Sequence, residues 1–588
     1  MDQPEHPADT ACWEAAAVEN KSTWNLPDPF HKYNAGIYGE DQWGPNPLTL
    51  FELAMYELSW ALRSKPEWQR KAADPELRAK WRQEALEQVA AANADEDSDE
   101  DTNECLLSEK MIDYVLAELA DYAKIADKEK GIERGCFDAI WYSDRLVPTS
   151  VAQRLKSAVH ALEDIPEDKK DWHPGSNGQV LDLVHPSLYC VVYGRTHAYL
   201  PGKPRIASHF LPVLAPSGAV ENQWNSEDFC WMPSDFTVDE KDGSVKLASP
   251  YVNNLHPGLH QPLYRVIEEV LTGFVPMFER VLGDTNREGE RSPFSNQDRV
   301  GPVSCIWGSD GKPYPEEEPG SDEDEDEFNE KFYASADKYV PEAEEYTGQL
   351  EARFDPVSLR GRTIQCIIKL ANIHLTPEQP EYAGGSWHVE GMVNESIAAS
   401  GIYYYDEENI TESKLAFRVP IGEPQYHGQD DGICMQMLYG MDRDSECIQE
   451  IGAMVTKAGR ALSWPNLFQH CVSPFKLADP CKQGHRKILA IFLVNPTVDP
   501  IVSATDVPPQ QAEWAAEAFE QACTGASVPG PQELPQELRH LVKDHFPATV
   551  MSLKEAEAYR LRLMKERTAF VKKHTGTAYG NTFNMCEH

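Results

Sequence analysis

Apolar residues recur at three- and four-residue spacing over residues 48 to 92, first in PLTLFELAMYELSWALRS and then in DPELRAKWRQEALEQVAAA. That period puts them on one face of a helix, with Thr49 as cap for the first and a proline opening the second. Helical spacing resumes from about 107 to 163, in LSEKMIDYVLAELADYAKIA and SVAQRLKSAVHALEDI. From about 178 to 250 it gives way to short β-rich pieces, VLDLVHPSLYCVVYG and HFLPVLAPSG, broken by proline and glycine. PLYRVIEEVLTGFVPMFERVLG then restores the helical period, with Leu263, Val266, Ile267, Val270, Leu271, Phe274 and Phe278 in one stripe. The stripe reads as core packing; Pro276 is expected to kink this helix and Gly283 to end it.

Residues 285 to 346 carry few apolar positions and a dense acidic block, the pattern of a mobile insertion. Beyond them lie RTIQCIIKLANIHL, ESIAASGIYYYD, KLAFRVP, GRALSWPN and GHRKILAIFLVNP. Short strands joined by turns predict an antiparallel barrel or jelly roll. The tail from about 508 is helical again. A chain of 588 residues exceeds one hydrophobic core. Five segments follow: 1–165, mainly helical with an acidic linker near 93–104; 166–284, mixed β and α, packing on the core; 285–346, the insertion; 347–505, the β core; and 506–588, C-terminal helices. The fold class is α+β, a jelly-roll or cupin-like core wrapped by helices.

Composition narrows the functions. The formal net charge of −42 argues against a general binder of nucleic acid or anionic membrane, since phosphates would be repelled over most of the surface. The 13 cysteines are odd in number and never spaced C-x-x-C, which fits reduced thiols better than a disulfide framework or structural zinc. No apolar run spans a bilayer and the start lacks the layout of a secretory signal, so a cytosolic or nuclear location is expected.

GGSWHVEGM, residues 384 to 392, contains the one H-x-[DE] triplet among 18 histidines. It lies among turn glycines just ahead of a run of strands. His470, in GRALSWPNLFQHCVSPF, follows a strand and a Pro-Asn turn. Two imidazoles and one carboxylate on one face of an octahedral ion leave three positions open, the facial arrangement of non-haem Fe(II) oxygenases. His388, Glu390 and His470 are therefore the candidate metal ligands and catalytic centre. Arg486, at the start of a buried-looking strand, offers a guanidinium fork for a carboxylate such as the far end of 2-oxoglutarate. In SGIYYYD, Tyr404 faces opposite to Tyr403, and one of the two hydroxyls would share that carboxylate.

This order of H-x-E, IYYY strand, turn-proline histidine and G-x-R resembles the double-stranded β-helix of Fe(II)/2-oxoglutarate dioxygenases, the prolyl-hydroxylase-like branch above all, over about residues 360 to 500. The resemblance implies iron on His388, Glu390 and His470, with 2-oxoglutarate held by Arg486 and Tyr404. It implies dioxygen as co-reactant and hydroxylation of a substrate C–H bond, with desaturation, demethylation or ring formation open to the same site. Most such enzymes carry aspartate where Glu390 stands. The phrases KLANIHLTPEQPEYAGGSWHVEGMVNESIAASGIYYYDEENI and MPSDFTVDEKDGSVKLASPYVNNLHPGLHQPLYRVIEEVL also resemble a mainly fungal family designated domain of unknown function 4246, over most of the chain.

Other residues carry alternatives. Lys369 is a charge inside the apolar CIIKLANI and either lines the pocket or snorkels at an edge. Asn394, Asn254 and His256 divide the same way. His485 is expected to point away from Arg486, and Cys471 away from the metal, by strand alternation. No G-x-S-x-G, P-loop or G-x-G-x-x-G segment supports a hydrolase or nucleotide site. The competing functions are a non-catalytic protein whose acidic loops bind a basic partner, and a metal-dependent cupin that does not use 2-oxoglutarate.

Overall fold

The computed structural model describes residues 47–92, 107–216, 224–286, 356–424, 431–524, 534–544 and 549–576, with shorter pieces near 12–14, 24–27, 299–350 and 582–585. The acidic run at 93–104 lies outside the described residues. The N-terminal helices are α1 (Leu50–Arg63), α2 (Trp68–Ala73), α3 (Pro75–Ala92), α4 (Glu109–Ile125) and α5 (Thr149–Glu163). Thr49 caps α1 as expected. Its hydroxyl accepts from the Glu52 N–H at 3.2 Å while the Glu52 carboxylate accepts from the Thr49 N–H at 3.1 Å. Helix α6 (Gln261–Thr285) buries the whole predicted stripe. It runs through Pro276 and past Gly283, because Gly283 is itself buried and packing outweighs local propensity there.

Strands β1 (Glu133–Arg134), β2 (Trp141–Ser143), β3 (Val180–Val184), β4 (Ser234–Val238), β5 (Val245–Leu247) and β6 (Thr363–Leu375) precede the H-x-E triplet. After it come β7 (Ile397–Glu408), β8 (Ser413–Pro420), β9 (Ile448–Thr456), β10 (Ala461–Pro465), β11 (Gln469–Val472) and β12 (Gly484–Val494). Among the described residues nine strands form one antiparallel sheet in the order β1-β2-β10-β7-β12-β6-β4-β5, with β3 also paired to β6. A second sheet has the order β9-β8-β11. The two stay separate, so no closed barrel forms among the described residues, and the class is α+β. Strands β1 and β2 fall where only helix was expected; at two and three residues they are too short to show a period.

Each face of the large sheet has its own core, because successive strand residues point to opposite sides. Ile368, Leu370, Tyr403, Tyr405, Leu489 and Ile491 pack against Phe274 and Phe278 of α6. Gly401 on β7 faces this helix, where a Cβ would sit 2.7 Å from the Phe274 ring. Ile367, Ile402, Tyr404, Trp464, Ala490 and Phe492 face the other way, toward Leu415 and Phe417 of the small sheet and on to α1 and α4. This inner face lines the candidate site.

Part of the segment expected to be a mobile insertion belongs to that core: Val300, Ile306, Trp307 and Ala343 are buried, and Arg299 is buried with Glu118 in an ion pair of 2.8 Å. The apolar residues there are few, yet these four reach the core. Much of the rest of 285–346 lies outside the described residues. Helices α7 (Gly432–Tyr439), α8 (Ala512–Thr524), α9 (Gln536–Asp544) and α10 (Leu553–Thr575) complete the described chain. No helix among the described residues is long and apolar enough to cross a membrane.

Candidate metal centre

The loop carrying His388 lies along the end of β11. Gly384 has φ +90, and a Cβ there would stand 2.7 Å from the Val472 carbonyl oxygen, so only glycine lets the chain approach this closely. Gly385 N–H donates to that carbonyl at 2.9 Å, and His388 and His470 then pair backbone to backbone at 3.3 and 3.0 Å. This bridge fixes the two imidazoles side by side, ring centroids 4.4 Å apart. Asn466, in the Pro-Asn turn after β10, brackets Glu390: its side chain accepts from the Glu390 N–H at 2.8 Å and donates to the Glu390 carbonyl at 2.9 Å. Between them Val389 points the other way, into a small core with Met392, Trp224 and Phe570 of α10. The last helix therefore braces the loop that carries His388 and Glu390.

The side chains of His388, Glu390 and His470 converge. Glu390 Oε1 lies 3.7 Å from His388 Nε2 and 3.4 Å from His470 Nε2. Ligands about 2.1 Å from one ion and at right angles stand roughly 3 Å apart, so the cluster is close to coordination geometry. His388 Nδ1–H donates to the Ser386 carbonyl at 2.7 Å, which fixes the tautomer and leaves the Nε2 lone pair facing the carboxylate. Two acceptors facing each other require a proton or a metal ion between them. Burial opposes the Glu390 charge, yet hydrogen bonds and charge from the two histidines hold its carboxyl well below the usual range. Burial pulls His388 down, and Glu390 more than reverses it. Burial, with the charge of His388, lowers His470. An ionised carboxylate beside a neutral imidazole is the state a divalent ion needs. Cys471, next in the chain, turns its thiol to the Gly385 carbonyl at 3.1 Å.

Arg486, on β12, is 1% exposed. Its Nε and Nη2 donate to Glu407 Oε2 at 3.1 and 2.9 Å, and Nη1 donates to Ser413 Oγ at 2.9 Å. The guanidinium lies 5.6 Å from the Tyr404 ring centroid, and the buried Tyr404 hydroxyl has no hydrogen-bond partner among the described residues. Ser413 and the His470 partner Phe417 lie on the same strand, four residues or about 13 Å apart. Tyr403 is not brought to this face; it sits in the α6 core, as alternation along β7 requires. His485 faces Asp406 at 3.1 Å, away from Arg486. Asn254 donates to the His185 and Leu188 carbonyls, His256 accepts from the N–H groups of Gly258 and Leu259, and Asn394 ties Ser226 to Tyr193, so all three hold loops.

Sequence reasoning missed Glu407, Ser413 and Asn466. It also missed a second cluster, His173, Asp182 and His185, whose ligand-type atoms all lie within 4.8 Å of one another, as do those of the first. His173 Nδ1 meets Asp182 Oδ2 at 2.7 Å. His185 Nδ1 accepts from the Ser187 N–H at 3.2 Å, which places the proton of the neutral ring on Nε2 and engages the Nδ1 lone pair. Burial first of all pushes His185 down to about 3, keeping it neutral.

A family model described as "Protein of unknown function (DUF4246)" matches residues 109–518, and one described as "Domain of unknown function DUF4246, N-terminal" matches residues 8–84. The chain belongs to this family. The DUF4246 match contains every residue of the converging cluster and of its Arg486 end. No curated protein matches the chain. Among solved structures, IDO from Bacillus thuringiensis is 8% identical over 23% of this chain and 48% of its own, TM-score 0.15, so the chain spans about half the length of that protein. The Fe(II)/(alpha)ketoglutarate-dependent dioxygenase TqaL is 10% identical over 62% of this chain and 95% of its own, TM-score 0.22. EvdO2 from Micromonospora carbonacea var. aurantiaca complexed with 2-oxoglutarate is 15% identical over 24% and 56%, TM-score 0.13.

Proposed function

We propose that this DUF4246 member is an Fe(II)- and 2-oxoglutarate-dependent oxygenase that hydroxylates a C–H bond, with a double-stranded β-helix core at 347–505 and helical segments packed around it. The observation that carries the reading is the convergence of two imidazole Nε2 atoms and one carboxylate oxygen at 3.4 and 3.7 Å, with the His388 tautomer set for coordination. The donor set is two nitrogens, one oxygen and no thiolate, which suits ferrous iron.

His388, Glu390 and His470 would hold the metal. With 2-oxoglutarate and dioxygen, the bound iron supplies the oxidising power, and 2-oxoglutarate leaves as succinate and carbon dioxide. The protein contributes placement. Glu407 occupies the Nε side of the Arg486 fork and fixes its plane, leaving the Nη end beside Ser413 and the unpartnered Tyr404 hydroxyl for a carboxylate. The apolar inner face of β7, β10 and β12 would exclude water from a ligand held between this anchor and the metal.

The test is anaerobic addition of Fe(II) and 2-oxoglutarate to the full chain, followed by admission of oxygen. A metal-to-ligand charge-transfer band and succinate formation are expected. A bound metal with neither band nor succinate would favour the metal-dependent cupin, and failure to retain metal would favour the interaction protein.

A further inference from the structure

Lys369 stands at the metal end of the same cleft. Strand β6 alternates Ile367 to the inner core and Ile368 and Leu370 to the α6 core, so Lys369 shares the inner face with Ile367 and with its cross-strand partner Ala490. Ala490 is four residues along β12 from Arg486, about 13 Å, the same separation that divides Ser413 from Phe417 on the opposing sheet. Lys369 thus lies four residues along the sheet from the Arg486 position, and its charge is felt at His388. The charge of Lys369 reaches His388 on one side and Asp182 and His185 on the other. Among the described residues Lys369 makes no hydrogen bond or ion pair of its own.

The two cations of the cleft differ. Arg486 is neutralised by Glu407 at 2.9 Å, so its end offers directed hydrogen bonds with little net charge. Lys369 makes no ion pair among the described residues, and the one carboxylate its charge is shown to lower, Asp182, is held by His173 at 2.7 Å. A divalent metal with Glu390 leaves one positive charge, and the Arg486–Glu407 pair adds none. A 2-oxo dicarboxylate brings two negative charges, and Lys369 is the inner-face group that balances the second.

We propose that Lys369 is a second carboxylate anchor, an ion partner for the metal-end carboxylate of the 2-oxo dicarboxylate, complementary to Arg486 at the far end. This rests on the oxygenase reading and adds a positioning residue to it. The assignment predicts opposite effects on two ligands of one site. Removing the ammonium weakens binding of the dianion and leaves the metal bound equally well or more tightly, because a positive neighbour of the ion has gone.

The experiment titrates Mn(II) alone, and then 2-oxoglutarate onto the Mn(II)-loaded full chain without oxygen, by calorimetry, in wild type, Lys369→Met and Lys369→Arg. The expected result for Lys369→Met is a rise of about tenfold or more in the Kd for 2-oxoglutarate, with an unchanged or lower Kd for Mn(II). Lys369→Arg stays within about threefold of wild type for both ligands, since the charge is kept. If Lys369→Met does not fold, Lys369→Gln takes its place with the same expectation. Equal 2-oxoglutarate affinity in wild type and Lys369→Met overturns the inference alone, and parallel loss of both ligands overturns it in favour of a purely structural lysine. Wild type that binds Mn(II) but no 2-oxoglutarate overturns the oxygenase reading and this inference together.

Discussion

Two clusters of the same composition, two histidines and an acid, stand in this molecule within the same 4.8 Å limit. In the first, the Ser386 carbonyl accepts from His388 Nδ1–H, and the Nε2 lone pair is aimed at Glu390. In the second, Ser187 donates to His185 Nδ1, and the lone pair is spent inside the protein. One backbone carbonyl against one backbone N–H is the difference between the two clusters. Ligand inventory and distance do not decide; the partner of the other ring nitrogen does.

The largest expected effect breaks this contrast directly. His388→Ala or His470→Ala weakens Mn(II) binding by at least about 100-fold in equilibrium dialysis, whereas His173→Ala keeps wild-type affinity within about twofold. Next comes the far end of the cleft. Arg486→Lys raises the Kd for 2-oxoglutarate by about tenfold or more with Mn(II) affinity unchanged, because an ammonium cannot serve Glu407, Ser413 and a carboxylate at once. Calorimetry on the Mn(II)-loaded variant reads this.

Tyr404→Phe separates stability from binding. Deleting an unpartnered buried hydroxyl raises the ligand-free stability by about 1 kcal/mol in urea unfolding, and weakens 2-oxoglutarate binding by a few fold. A further test is in the second cluster. His185 is neutral in the fold down to about pH 3, while the unfolded chain takes up this proton near the ordinary value of 6.5. The unfolded state thus binds more protons between those limits, and stability is lost as pH falls through that window. His185→Gln removes the contribution, so its urea midpoint falls less than that of wild type between pH 7 and pH 5.

The residues legible in the sequence are those whose chemistry and local backbone coincide. Gly384 and Gly385 announce a close approach, His388 and Glu390 share one side of an extended segment, and His470 follows a turn that Asn466 fixes. Tyr404 and Tyr403 were separable because β7 alternates. What stayed hidden depends on distant pairing. Glu407 and Ser413 look like ordinary strand-end polar residues until β12 brings Arg486 between them. The second cluster joins a histidine before β3 to its Asp182 and to a histidine after it, and nothing in WHPG or LDLVH separately marks the meeting. Arg299 and Trp307 were hidden by the acidic composition around them, although both are buried.

One cluster is expected to bind a divalent metal and its compositional twin is not. Anomalous diffraction from crystals of the full chain soaked in Mn(II) tests it most directly. A single strong anomalous peak bounded by His388 Nε2, Glu390 and His470 Nε2, with none among His173, Asp182 and His185, is the predicted result. A peak in the second cluster, or an empty first one at saturating Mn(II), would contradict it.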